Sequence, residues 1–135
     1  MIDVPPLLLN DHFARHLKIR VLEARPGRAR VALDVEPHHY NGVDILHGGV
    51  IFTLADYAFA IACNRHDQVA VAVNANISYI TTTKRKVLFA EATEITRGAK
   101  MASYDVRVFD DEDVIVASFH GLAYLKKKMT IEEKS

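Results

Sequence analysis

The chain has one cysteine in 135 residues, no net charge and no long uninterrupted apolar run. Each absence excludes something. A lone Cys63 rules out an intrachain disulfide and makes a reducing compartment the simpler setting. Lys plus Arg equals Asp plus Glu, 17 against 17, so no global field recruits nucleic acid or an anionic membrane. The longest apolar stretch is broken by Thr53 and Asp56 and falls short of the roughly 18 residues a membrane span needs. Asp3 stands where a signal peptide would be basic, and the apolar run Leu7 to Leu9 is too short for one. No internal repeat and no low-complexity segment divides the chain. These limits predict one domain over residues 1–135, soluble and cytoplasmic, with no nucleic-acid or membrane partner.

Against this background the stretch NGVDILHGGVIFTLADYAF, Asn41 to Phe59, is distinctive. It begins with an Asn-Gly turn, reaches His47-Gly48-Gly49, and continues without Pro or Gly through a segment apolar on nearly all sides. In a helix that pattern means burial rather than a surface seat. Its one interior charge is Asp56, and a carboxylate there is costly unless paired or used. Gly48 and Gly49 fall where the first N–H groups of the helix lack intrahelical partners and the macrodipole is positive. With no side chains in the way, such a terminus can bind an anion or polarise a carbonyl whose oxygen becomes negative during acyl transfer. A Gly pair can also serve only to let the chain enter a buried helix tightly.

Asp56 lies eight residues beyond Gly48, a separation of about 12 Å along a continuous helix. One helix therefore cannot bring both groups to the same carbonyl. Two antiparallel copies across a two-fold axis can, with the Asp56 of one subunit near the Gly48 amide of the other, giving two composite sites per homodimer.

The spacing N-x5-HGG-x6-LAD, formed by Asn41, His47, Gly48, Gly49, Leu54, Ala55 and Asp56, resembles the PaaI-like branch of the hotdog-fold acyl-CoA thioesterases, and the likeness extends over nearly the whole chain. The resemblance implies an α+β hotdog fold, with an antiparallel β-sheet wrapped around a long central α-helix. It also implies dimers that pair into tetramers, and hydrolysis of an acyl-CoA thioester at the dimer interface without a cofactor or metal. Asn41 matches an Asn that holds the thioester or the attacking water, although an Asn-Gly turn is a common reason for that residue. His47 either orients substrate or binds the backbone at the helix entry. Lys84, Arg85 and Lys86, with Arg97 and Lys100 in the next turn, can meet the phosphates of coenzyme A, although such a run is more often a solvated face. The chain departs from its relatives in YITTTKRKVLF, where Thr82, Lys86 and Leu88 replace a Pro and a later Gly-Asp, and at Ala72, where some relatives carry Ser.

The rest of the chain supplies the frame. Asn10 or Asp11 caps a short helix through about Leu17, and KIRVLEARPGRARVALDV forms a hairpin around a Pro-Gly turn. Ile19, Val21 and Glu23 are expected on one face of its first arm, and Ala29, Val31, Leu33 and Val35 on one face of its second. After the helix and a polar loop, Asn64 to Gln68, four strands follow, separated by turns at Arg97-Gly98 and Asp110-Asp111. The tail Lys126 to Ser135 is charged and expected to fray. His12 and His16 stand four apart but lack further ligands, which argues against a metal site. Cys63 reads as a packing residue. His38 and His39 have no evident partner. Tyr57, Phe59 and Tyr79 fit either an aromatic-friendly acyl pocket or core.

Three function classes follow. They are a thioesterase in which Asp56 is nucleophile or base, a hotdog hydratase or dehydratase, and a non-catalytic acyl-CoA-binding protein.

Overall fold

A computed structural model describes residues 2–127. Its centre is α2, Gly48–Cys63, a continuous helix of 16 residues. Ile51, Leu54, Ala55, Tyr57, Ala58, Phe59, Ile61, Ala62 and Cys63 are all buried on it. Alanines at 55, 58 and 62 let the backbone approach the sheet closely, while the larger residues fill the space between. Beyond the first turn, where Gly48, Gly49 and Val50 stay at least partly accessible, a single stripe does so, formed by Phe52, Thr53, Asp56 and Ala60.

Preceding it are a 3-10 turn, Pro6–Asn10, and α1, His12–His16, whose N-cap Asp11 accepts a hydrogen bond from Ala14 N–H at 2.9 Å. Strands β1, Arg20–Arg25, and β2, Arg28–Asp34, form the expected hairpin. A bulge between Val21 and Glu23 alters the expected face. The extra residue reverses the alternation, so Ala24 is fully buried and Glu23 pairs with Arg30, its carboxylate 3.0 Å from Arg25 and 3.4 Å from Arg28. Glu23 therefore does not share a face with Val21.

The remaining strands are β3, Ala70–Tyr79, β4, Val87–Arg97, β5, Met101–Asp110, and β6, Ile115–Leu125. They complete a six-stranded antiparallel sheet in the order β1-β2-β4-β5-β6-β3. The chain leaves β2, runs along α2 and returns at the far edge as β3. The β4–β5–β6 meander then fills the gap, with β4 pairing β2 and β6 pairing β3. This is the hotdog arrangement, with the helix against the curved face of the sheet. Strand β3 is an edge strand, and Val71, Val73 and Tyr79 on it are exposed. The start of β3 is tied to the C-terminal end of α2 by Ala70 N–H to Asn64 Oδ1 at 2.9 Å, and its end lies at the N-terminus of α2. No helix among the described residues is long and apolar enough to cross a membrane. Of the charged tail, residues 128–135 lie outside the described residues.

Candidate active site

The loop from residue 35 to 47 is held by its own polar groups. Glu36 N–H donates to His39 Nδ1 at 2.9 Å, and His47 N–H donates to the His39 carbonyl at 2.8 Å. His39 is completely buried, and burial holds its pKa below the ordinary value, with His38 adding to the effect, so the ring is neutral at neutral pH. The residue with no evident partner in the sequence is thus the pin of the loop. The Glu36, His38 and His39 side chains do cluster, but they do not suit a cation. With Nδ1 accepting an N–H, the ring proton is on Nε2, and neither nitrogen offers a lone pair.

Asn41 organises the turn that follows. Its Oδ1 accepts from Val43 N–H at 3.0 Å and Ile45 N–H at 3.1 Å, while Asp44 takes a left-handed φ of 63°. The side-chain carbonyl is therefore spent on the loop. What Asn41 offers a ligand is its amide NH2, which has no acceptor among the described residues.

His47 is the N-cap of α2, and its Nδ1 accepts from Gly49 N–H at 2.8 Å. Val50 N–H and Ile51 N–H both turn back to the His47 carbonyl, at 3.0 and 3.3 Å. The Gly48 N–H is left as the first-turn donor without an acceptor among the described residues. The expected Gly pair thus divides its roles. Gly48 presents a free N–H at the positive end of the helix, whereas Gly49 has its N–H occupied and offers only side-chain-free surface. His47 binds backbone through Nδ1, which places its proton on Nε2.

Asp56 sits two turns further on, partly buried, with no hydrogen bond or ion pair among the described residues. Burial raises its pKa, and the nearby Asp11 carboxylate adds to the rise. Because α2 is unbroken, about 12 Å of helix separates Asp56 from Gly48 within one chain. Cys63 is no competing nucleophile, since burial pushes its thiol up to about 12.

Two cavities meet at the helix N-terminus. One, of about 210 Å³, is lined by Asn41, Gly48 and Tyr79, with Ile51 and Val116 at its apolar side and Thr81 to Thr83 along another. The other is a wider groove of about 590 Å³ along the accessible stripe, bounded by Phe13, His47, Gly49, Phe52, Thr53 and Tyr79. Of the three aromatics expected to shape a pocket or fill the core, Tyr79 lines both of these cavities and the other two line neither. Tyr57 and Phe59 are buried core, the Tyr57 hydroxyl donating to the Leu8 carbonyl at 3.2 Å. Thr81 to Thr83 read in the sequence only as a departure from the relatives. Three successive hydroxyls between a strand and a basic run were the signal that could have placed them at a ligand.

The basic residues do not gather as expected. The Arg97 guanidinium lies at the other end of α2, donating to the Cys63 carbonyl at 3.0 Å, the Tyr104 hydroxyl at 3.2 Å and Gln68 Oε1 at 2.7 Å. It closes the helix C-terminus, away from Gly48 within the same chain. Arg85 forms a forked pair with Asp111 at 2.6 and 3.0 Å, so its donors are largely committed. Lys84 stays beside the site, with Nζ 3.2 Å from the Asp44 carbonyl and close to the face of Tyr40, which Lys86 also approaches.

A free helix-terminal N–H flanked by cavities, on a hotdog sheet and helix that also carries an unpaired carboxylate, defines a hydrolase of the thioesterase kind. The model of the thioesterase superfamily matches residues 44–117, more than half of the chain. The acyl-coenzyme A thioesterase PaaI of Escherichia coli is 33% identical over 116 residues, covering 85% of this chain and 83% of that protein. The solved structure of the E. coli PaaI protein from the phenylacetic acid degradation operon superimposes with a TM-score of 0.85 at 31% identity, over 91% of this chain and 90% of that one. A phenylacetic acid degradation protein PaaI from Thermus thermophilus aligns at 0.80 and 33%, over 84% and 98%. The chain belongs to the thioesterase superfamily, and within it to the PaaI-like hotdog thioesterases.

Proposed function

We propose that this acyl-CoA thioesterase works at sites shared between two protomers, with Gly48 of one chain and Asp56 of the other acting on the same thioester. The observation that carries this reading is the pairing of a free Gly48 N–H with an unpartnered Asp56, set about 12 Å apart on one rigid helix. Both lie on or beside the accessible side of α2, and the exposed edge strand β3 runs alongside it. A second copy packed antiparallel there would bring the two groups together.

In the reaction, the carbonyl oxygen accepts from Gly48 N–H, and negative charge developing on it meets the positive end of α2. As a base, Asp56 takes a proton from water while the water oxygen bonds the carbonyl carbon. The tetrahedral intermediate then collapses and the C–S bond breaks, the protonated Asp56 returning its proton to the sulfur so that coenzyme A leaves as the thiol. As a nucleophile, the Asp56 carboxylate would itself bond the carbon and expel the coenzyme A thiolate, giving an anhydride that water later opens to the free acid and the regenerated carboxylate. A raised pKa suits the base, since it strengthens proton abstraction. In this reading the Asn41 NH2 holds the carbonyl or the water, His47 fixes the cap around Gly48, and Lys84 meets the carrier's phosphates, which its position beside the Asp44 carbonyl supports.

Phe13, Phe52 and Tyr79 around the groove suit an aryl or arylacetyl acyl group. The dimer is expected to pair into a tetramer, and one buried cysteine fits a cytoplasmic setting. The deciding measurement is thiol release from a panel of short, long and aryl acyl-CoAs. Turnover of at least one class is expected, and binding without release across the panel would point to a non-catalytic acyl-CoA-binding protein instead.

A further inference from the structure

Among the described residues, Tyr79 alone lines both cavities at the head of α2. It ends the edge strand β3 and is 53% exposed, an unusual position for a ring that makes specific contacts. Its hydroxyl donates to the Gly48 carbonyl at 3.1 Å. Its ring lies so close over Gly48 that a Cβ there would stand 3.2 Å from both Cζ and the hydroxyl oxygen.

We propose that Tyr79 is a specificity-determining residue, its ring forming the wall between the two cavities at the Gly48 amide and so limiting the bulk of the acyl group. This rests on the reading of Gly48 N–H as the place of the thioester carbonyl. A carbonyl held there has two substituents, the acyl carbon and the sulfur, which diverge from the carbonyl carbon. Each must pass into one of the two spaces beside the ring. The narrower cavity of about 210 Å³ lies below the usual size of a ligand site, whereas the groove of about 590 Å³ is mid-range. Tyr79 is the residue their linings share. Removing its ring joins the two spaces and relaxes the size limit without touching the Gly48 N–H, Asn41 or Asp56. A methyl group at position 48 would press on the ring, which would have to give by a few tenths of an ångström.

The experiment compares kcat/KM for a bulky and a small acyl-CoA in wild type, Tyr79→Ala and Tyr79→Phe, with Tyr79→Val as a second ring-less variant suited to a strand. The bulky-to-small ratio is expected to rise about tenfold or more in Tyr79→Ala and Tyr79→Val, the scale at which pocket size discriminates acyl groups. In Tyr79→Phe the ratio should stay at the wild-type value, because the ring remains. An unchanged ratio in the ring-less variants would overturn the proposal. So would a Tyr79→Phe ratio equal to that of Tyr79→Ala, since the hydrogen bond to Gly48 and not the wall would then be responsible. Gly48→Ala separates this from the underlying reading. It is expected to lose activity and to regain part of it when combined with Tyr79→Ala, whereas full activity of Gly48→Ala with Tyr79 in place would mean that Gly48 is not the carbonyl site.

Discussion

The ring of Phe59 occupies the space that a side chain on Gly121 would need: a Cβ at position 121 would lie 2.7 Å from Phe59 Cε1 and 2.8 Å from Cζ. Phe59 is almost completely buried in the middle of α2, with Tyr104 and Phe119 rings tilted against it at centroid distances of 5.5 and 5.8 Å. The ring cannot retreat without displacing both. Gly121→Ala should therefore destabilise the fold by about 2 kcal/mol or more, within the range for an overpacked core. Thermal melts would register a drop of several degrees. A melt equal to wild type would mean that the helix slides on the sheet to make room, which would also move Gly48 and Asp56.

A second prediction concerns Asp56 and pH. Its folded pKa is raised above 3.8, so ionising it costs the folded protomer stability, a cost absent below the unfolded pKa and complete above the folded one. Asp56→Asn should accordingly melt higher than wild type at pH 7 to 8 and level with it near pH 3. The same substitution should lower kcat about a thousandfold or more, because the amide is neither base nor nucleophile. In wild type, kcat/KM should fall as pH drops through the raised pKa. Asp11→Asn, which keeps a capping side chain at α1 but removes the second cause of the rise, should shift that acidic limb to lower pH. A limb unmoved in Asp11→Asn would assign it to another group.

The helix that carries Gly48 and Asp56 was legible in the sequence, and the reasons are local. A Pro-free and Gly-free apolar run after His-Gly-Gly can only be a buried helix, and Asp56 stands out because nothing in that run can pair with it. The four later strands were legible from their Val and Ile content and the turns between them. What was hidden depended on residues distant in sequence. Arg85 looked free because Asp111 is 26 positions away, and Arg97 looked like a phosphate ligand because Gln68 and Cys63 reach it only through the fold. The Glu23 bulge breaks an alternation that period-two reasoning assumes. The role of Tyr79 required knowing that β3 ends at the head of α2, which follows from its pairing with β6 and not from any neighbouring residue.

The last prediction tests where the two halves of a site come from. Asp56→Asn keeps a free Gly48 N–H but supplies no carboxylate. Gly48→Val keeps the carboxylate but forces a branched side chain against the Tyr79 ring, crowding the place of the carbonyl. Each variant alone should be nearly inactive. Unfolded together in equal amounts and refolded, half of the dimers should be hybrids, each with one intact site and one doubly damaged site. Activity should then recover to about a quarter of the wild-type value, with each variant refolded alone as the control. Hybrid formation is checked by mass spectrometry of the intact dimers. Hybrids that form without recovered activity would show that Asp56 does not reach across to a partner's Gly48. A continuous α2 would then leave Asp56 about two helical turns from the carbonyl and outside the chemistry altogether.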